Sequence, residues 1–395
     1  MQLTETLTNL TSLQKVLITV ILAVISFSGS TGISYSVFSQ ISGKGGVLEE
    51  LTSSLPGPSN VVEEDPNEPK TEKCPLDGDL HTKKSKESWE KRRPLAVMIE
   101  NHTEARPQSG LSSADIVYEA VAEGGITRFM AIFYCNLSDI QVGPVRSART
   151  YFLDWASEYD PLYAHVGGAN TPGPADALGQ IVKYGIKSLN QFGVGFPTYW
   201  RDYQRLGHPV ATEHTMYSTT QKLWEVGAKR GWANIDEDGI SWDKNFNQWK
   251  FKDPTSQGSA GQVTKITVPF WESQGEYTVE WSWDSSTNSY KRKNAGVSYT
   301  DLNNKKELSP KNIVVQFESE SRANDGYEGN LHLLYGTTGS GKALIFQDGK
   351  VIEGKWIKAS RLARSKYVDG KGKEIELNIG QIWIQTVPDG SEVSY

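Results

Sequence analysis

Cysteine is nearly absent from this chain. Two occur among 395 residues, Cys74 and Cys135, too far apart for a Cys-x-x-Cys motif. That excludes a thiolate metal centre and a dithiol redox motif, both of which need closely spaced thiols. Two readings of the pair remain open, a single disulfide or two unpaired thiols. A basic excess is also missing: 41 Lys and Arg stand against 47 Asp and Glu, a formal charge of −6. Nucleic acid, which demands clustered cations along its phosphates, is therefore not an expected partner. Neither His-Glu-x-x-His nor Gly-x-Ser-x-Gly occurs, so the spacings that build a helix-borne zinc site or a serine elbow are lacking. The expectation is no metal and no cofactor. What the chain does have is 37% hydrophobic and 10% aromatic residues, enough over this length to bury a substantial core.

Charge itself disappears between Lys15 and Lys44, and Val16 to Phe27 is almost continuously apolar. Such a run exports the chain, either as a signal anchor that spans the bilayer or as a cleaved signal peptide. We read 1–14 as a short cytoplasmic segment and 15–38 as a single transmembrane helix, with the bulk of the chain outside the cell membrane. Lys15 before the run, and Glu49 and Glu50 after it, agree with that orientation. No cysteine adjoins the run to accept a lipid. Residues 39–88, acidic and rich in Pro, Ser and Gly, read as a linker, because such a composition buries too little apolar surface to fold.

From Arg93 the pattern changes to short apolar runs. PLAVMIEN (94–101), DIVYEAVAE (115–123), ITRFMAIFYC (126–135) and LYAHV (162–166) read as strands. Helices are expected after a Ser147 cap, from about Pro174, and over about 219–229. Beyond about 233 only alternating segments remain, among them YTVEWSW, NIVVQFE and QIWIQTV. The fold class is thus α+β: a layered α/β domain over 89–232, then a mostly β domain over 233–395.

YGTTGSGKAL (335–344) has the spacing of a phosphate-binding loop, but Ala343 stands where a magnesium-binding hydroxyl is needed and no amphipathic helix follows. Asp348-Gly349 between two β-like runs signals a hairpin instead. No nucleotide is expected at Gly336 to Lys342.

Between Pro94 and Val182 there is no lysine, yet Arg106, Arg128, Arg146 and Arg149 occur among ten Asp and Glu. Exclusive arginine suggests fixed carboxylate or phosphate partners, because its planar fork pairs bidentately with both. With Gly124-Gly125 as a two-residue turn, Val121 faces Arg128 and Glu119 and Glu123 fall on its side, an expected structural ion pair. Arg146 and Arg149 are expected at a helix start, where the macrodipole disfavours cations and an anion compensates. The loop at Gly167-Gly168 offers a second helix start, and Arg106 and Arg201 are further anion-binding candidates; a protein carboxylate is the bland occupant. For acid-base chemistry the candidates are Glu100, Glu119 and Glu123 beside His165. His102, His208 and His214 are also available, though none has metal-ligand spacing.

RPLAVMIENHTEARPQSGLSSADIVYEAVAEGGITRFMAIF, VGPVRSARTYFLDWA and YAHVGGA, with weaker GKALIFQDGKVIEGKW and GQIWIQTVP, resemble the YerB-like family of bacterial envelope proteins. That family is a domain of unknown function, DUF3048, with its own C-terminal β domain. The resemblance covers about 90–390 and implies a layered α/β domain, an exported location and no established activity. Many members look like lipoproteins, and this chain departs from them in lacking a lipid-accepting cysteine. The expected role is binding an anionic envelope ligand, such as a cell-wall polymer or an envelope protein; a hydrolase or transferase of such a polymer is the alternative.

Overall fold

The structure, a computed structural model, describes residues 67–395 except 137, 237, 254–262, 272 and 328–331. The expected segment at 15–38 and most of the linker lie outside the described residues. Among the described residues no helix is long and apolar enough to cross a membrane.

The fold is α+β and dominated by one ten-stranded sheet. In chain order its strands are β1 (Leu95–Glu100), β2 (Ile116–Glu123), β3 (Ile126–Phe133), β4 (Leu162–His165), β5 (Lys187–Asn190), β6 (Asn312–Glu318), β7 (Gly339–Gln347), β8 (Lys350–Lys358), β9 (Lys366–Asp369) and β10 (Ile382–Pro388). Their spatial order is β9-β8-β7-β6-β10-β2-β3-β1-β4-β5. Strands from 89–232 and from 233–395 thus share one hydrogen-bonded sheet. They meet where β10 lies parallel to β2, Ile382 opposite Ile116 and Gln385 opposite Glu119. Central strands buried on both faces must be apolar at nearly every position. β1 is apolar but for Glu100, and β1, β2 and β10 are each buried almost throughout, so the polar residues of β2 and β10 need partners.

Helices are few and short: α1 (Lys83–Trp89), α2 (Thr150–Ala156), α3 (Ala177–Lys183), α4 (Gln191–Val194) and α5 (Thr220–Lys229). α5 starts where Thr219 accepts from the Lys222 amide, a side-chain cap that satisfies one orphan N–H. It packs over β1, β4 and β5. α2 packs against β2, where Trp155 stacks on Tyr118 at 5.6 Å. On the opposite face lies a four-stranded antiparallel sheet built from Lys265–Val268, Val279–Asp284, Ser289–Asn294 and Val297–Ser298. Its Trp281 meets Trp383 of β10 edge-on at 5.3 Å.

Three local expectations need correcting. The helix expected from Ser147 begins only at Thr150, with Arg149 as its cap residue and no side-chain cap. At seven residues it is too short to supply the helix-terminus field invoked for Arg146 and Arg149. Residues 70–88, assigned by composition to the linker, carry the hairpin Lys70–Lys73 with Leu80–Thr82 and then α1. The reason is tertiary: Cys74 pairs with Cys135 in a disulfide, Cα atoms 5.9 Å apart, and Cys74, Leu76 and Trp89 are buried in the main core. The glycine-rich stretch at 339–347 is strand β7, joined to β8 by a turn at Asp348-Gly349 where both residues have positive φ. The strand-to-helix geometry of a phosphate loop is not formed there.

Candidate functional site

One β-bulge decides where the acidic residues go. Gly124 and Gly125 form the β2–β3 turn with positive φ at both positions, which glycine alone tolerates without cost. Between Val121 and Glu123 the register slips, so Ala120, not Val121, lies opposite Arg128. A slip of one residue sends side chains to the other face. Glu119, expected beside Arg128, therefore points to the opposite side of the sheet, while Glu123, beyond the bulge, joins Arg128.

On its own side Glu119 is completely buried and receives both terminal nitrogens of Arg292, each at 2.7 Å, from the small sheet. Trp383 Nε1, Gln385 Nε2 and Thr127 Oγ1 also donate to it. All of its acceptor capacity goes to structure, which removes it as an acid-base candidate.

At the other side, the ends of β1 and β2, which flank the antiparallel β3, open into a cleft of about 490 Å³. Its walls carry Glu100, Glu104, Glu123, Glu213, Arg128, Arg146, Arg149, His102, His214 and Tyr327. Glu100, in register with Arg128, receives Arg146 Nε at 2.9 Å on one oxygen and His214 Nδ1 at 2.7 Å on the other. Burial acts to raise the Glu100 carboxyl, but the His214 hydrogen bond and the Arg146 charge outweigh it and hold the group below the usual carboxylate range. The same hydrogen bond raises His214. Glu123 pairs with Arg149 and receives Arg128 Nη2 at 3.1 Å. His332, held at 2.5 Å from Asp325, brings Nε2 to 3.8 Å from Glu123, and the Tyr327 ring stacks on it.

The expected residues divide accordingly. Arg146, Glu100, Glu123, Arg128 and Arg149 converge in the cleft. Arg149 spends Nε and Nη2 on Glu123 and Nη1 on the Ala148 carbonyl, so its compensating anion is a protein carboxylate. His165 is fully buried and elsewhere: Nδ1 donates to the Gly167 carbonyl at 2.6 Å and Nε2 accepts from Ser188 Oγ at 2.8 Å. Burial pushes it down to about 4, so it stays neutral and packed. Gly167 turns the chain at positive φ with its amide bound to Asn190, and Gly168 forms an isolated parallel bridge with Ala148. Arg106 lies in a separate groove, clamped by Asn101 and the Glu276 carbonyl. Arg201 binds the Thr212 carbonyl and Thr215 Oγ1, bracing the turn that carries His214. Sequence reasoning gave no role to His332, Asp325 or Tyr327; each enters from the far half of the chain, and no local spacing marks it.

Comparison with known proteins gives a consistent answer. Residues 81–233 match the N-terminal domain, and 266–384 the C-terminal domain, of the protein of unknown function family DUF3048. The chain belongs to this family. It is 32% identical over 331 residues, 82% of this chain and 88% of the relative, to "Putative lipoprotein YerB" of Bacillus subtilis (strain 168). The crystal structure of YerB protein from Bacillus subtilis superposes with a TM-score of 0.66 at 29% identity, covering 82% of this chain and all of that one. The YerB-like resemblance read from the sequence is therefore established, and the family description carries no activity.

Proposed function

We propose that this family member is held at the membrane and works outside it, binding an anionic group of a cell-envelope ligand in the cleft through Arg146. The observation that carries the reading is an unspent guanidinium. Arg146 gives only Nε to Glu100, its Nη1 and Nη2 have no hydrogen-bond partner among the described residues, and its side chain is 28% exposed. Arg128 and Arg149, by contrast, are consumed internally. Membrane attachment is supported by the uncharged run 16–43 and by the name of the Bacillus relative.

The test is a thermal-shift screen of the full chain with phosphate, citrate, muropeptides and teichoic-acid fragments. A ligand at a hundredfold excess over Kd adds about 2.7 kcal/mol of apparent stability. We expect one of these anions to stabilise the wild type and to lose its effect in Arg146→Gln. No shift with any anion would sink the reading. A second reading, acid-base catalysis on an envelope polymer, is favoured by one observation: Glu100 orients His214 at 2.7 Å in the cleft wall, the arrangement of a positioned general base. Product release from envelope fractions that is lost in His214→Gln would favour it.

A further inference from the structure

His102, Glu104 and His214 put their ligand atoms within 4.8 Å of one another. Their burial is graded as a metal site requires, His214 inside, His102 half-buried and Glu104 exposed at the mouth. His214 is prepared in a particular way. Its Nδ1 is committed to Glu100 at 2.7 Å, which fixes that proton and leaves the Nε2 lone pair as the free donor atom. Nε2 faces Glu104 at 3.7 Å, too far for a hydrogen bond, and makes no other hydrogen bond among the described residues although the residue is only 3% exposed. A carboxylate that holds the far nitrogen of an imidazole while the near one points at other donors is the outer-shell pattern of metal-bound histidine.

From this geometry we infer that His102, Glu104 and His214 form a divalent transition-metal site, suited to zinc, with Glu100 as its outer-shell orienter. Two imidazoles and one carboxylate suit zinc's preference for nitrogen and oxygen donors and leave a fourth position open toward the cleft. The cleft as a whole carries four carboxylates, Glu100, Glu104, Glu123 and Glu213, against the three guanidinium groups of Arg128, Arg146 and Arg149. Loading requires one movement. The His102 and His214 rings now stack at 4.7 Å and 12°, and a metal must lie in the plane of each ring that holds it. Tetrahedral zinc also brings its donors to about 3.4 Å from one another. His102 therefore turns out of the stack, giving up a long 3.3 Å contact that its Nδ1 accepts from the Glu104 amide. Both residues that must adjust sit on a short 3₁₀ turn at the rim, Thr103–Ala105 and its cap His102. The inference differs from the anion reading in its ligands, none of which is an arginine partner, while Glu100 touches both His214 and Arg146.

The experiment titrates zinc chloride into the purified full chain by calorimetry and repeats the loading with cobalt, whose visible absorption reports nitrogen and oxygen coordination. One equivalent is expected, with affinity reduced at least tenfold in His102→Ala and in Glu104→Gln, and abolished together with the cobalt band in His214→Asn. Calorimetry with zinc reads the metal ligands while the anion screen reads Arg146, so a failed anion screen and a failed metal site remain distinguishable. If His214→Asn loses its fold by circular dichroism, the two rim variants decide alone. Absence of saturable binding in the wild type, or binding unchanged in both rim variants, overturns the site.

Discussion

The two faces of strand β2 use the same chemistry for opposite ends. On one face Glu119 and Arg292 meet with neither side chain exposed, walled by Trp383 and Trp281 with ring centroids 4.8 and 5.3 Å from the guanidinium. On the other, Glu123 and Glu100 meet Arg128, Arg149 and Arg146 at the wall of an open cleft. The dry pair is closed: every oxygen is used and nothing can enter. The cleft set is graded, from the buried Arg128 and Arg149 to the partly exposed Arg146, and keeps donors of Arg146 unspent. Carboxylate–arginine pairs do not by themselves mark a site; the water that can reach them does.

Breaking the dry pair should give the largest effect. Arg292→Ala leaves Glu119 as a bare buried charge, and a loss of about 3–5 kcal/mol in urea unfolding is expected. The double variant Glu119→Leu/Arg292→Met should recover most of it, since an apolar pair of similar volume often matches a buried ion pair. If Arg292→Ala unfolds like the wild type, the contrast between the faces is wrong.

The disulfide holds the segment before β1 to the core. Replacing both cysteines with serine frees a loop spanning 61 residues, and the entropy of that closure predicts a loss of about 4 kcal/mol, with strain and denatured-state structure reducing it. Alkylation of the denatured, unreduced wild type should label neither thiol.

The third test compares histidines. His165 is held neutral by burial and titrates at about 4, against about 6.5 unfolded. The unfolded chain takes up the proton first, so the contribution is intact above pH 6.5 and is lost as pH falls toward 4, about 3 kcal/mol in all. His165→Asn should flatten this part of the stability–pH curve; an unchanged slope would show that His165 is not the group responsible.

The smallest effect is expected in the cleft. Arg146→Gln removes a partly exposed charge and should cost less than about 1 kcal/mol, while abolishing the anion response described above. A large loss of stability would move Arg146 to the structural side of the comparison.

Much of the scaffold was legible from local sequence. β1, β2, β3 and β4 follow from apolar runs of strand length, α5 from the helix expected over about 219–229, and the β7–β8 hairpin from Asp348-Gly349. The residues of the cleft were named, but not their roles. Glu119 and Glu123 looked equivalent at a spacing of four, and a bulge that no sequence signal announces put them on opposite faces. His214 was one histidine among several until a contact across 114 residues set it against Glu100.

The division has a physical cause. Backbone propensity, side-chain alternation and turn chemistry act within a few residues of one another, so the chain alone determines which segments become strands, where they turn and which are apolar on both faces. Which strands become neighbours is chosen by burial over the whole molecule. The placing of β10 beside β2, and of Arg292 onto Glu119 across 173 residues, depends on surfaces that exist only after the sheet has formed. Tertiary structure therefore decided which acidic residues are sealed and which face water.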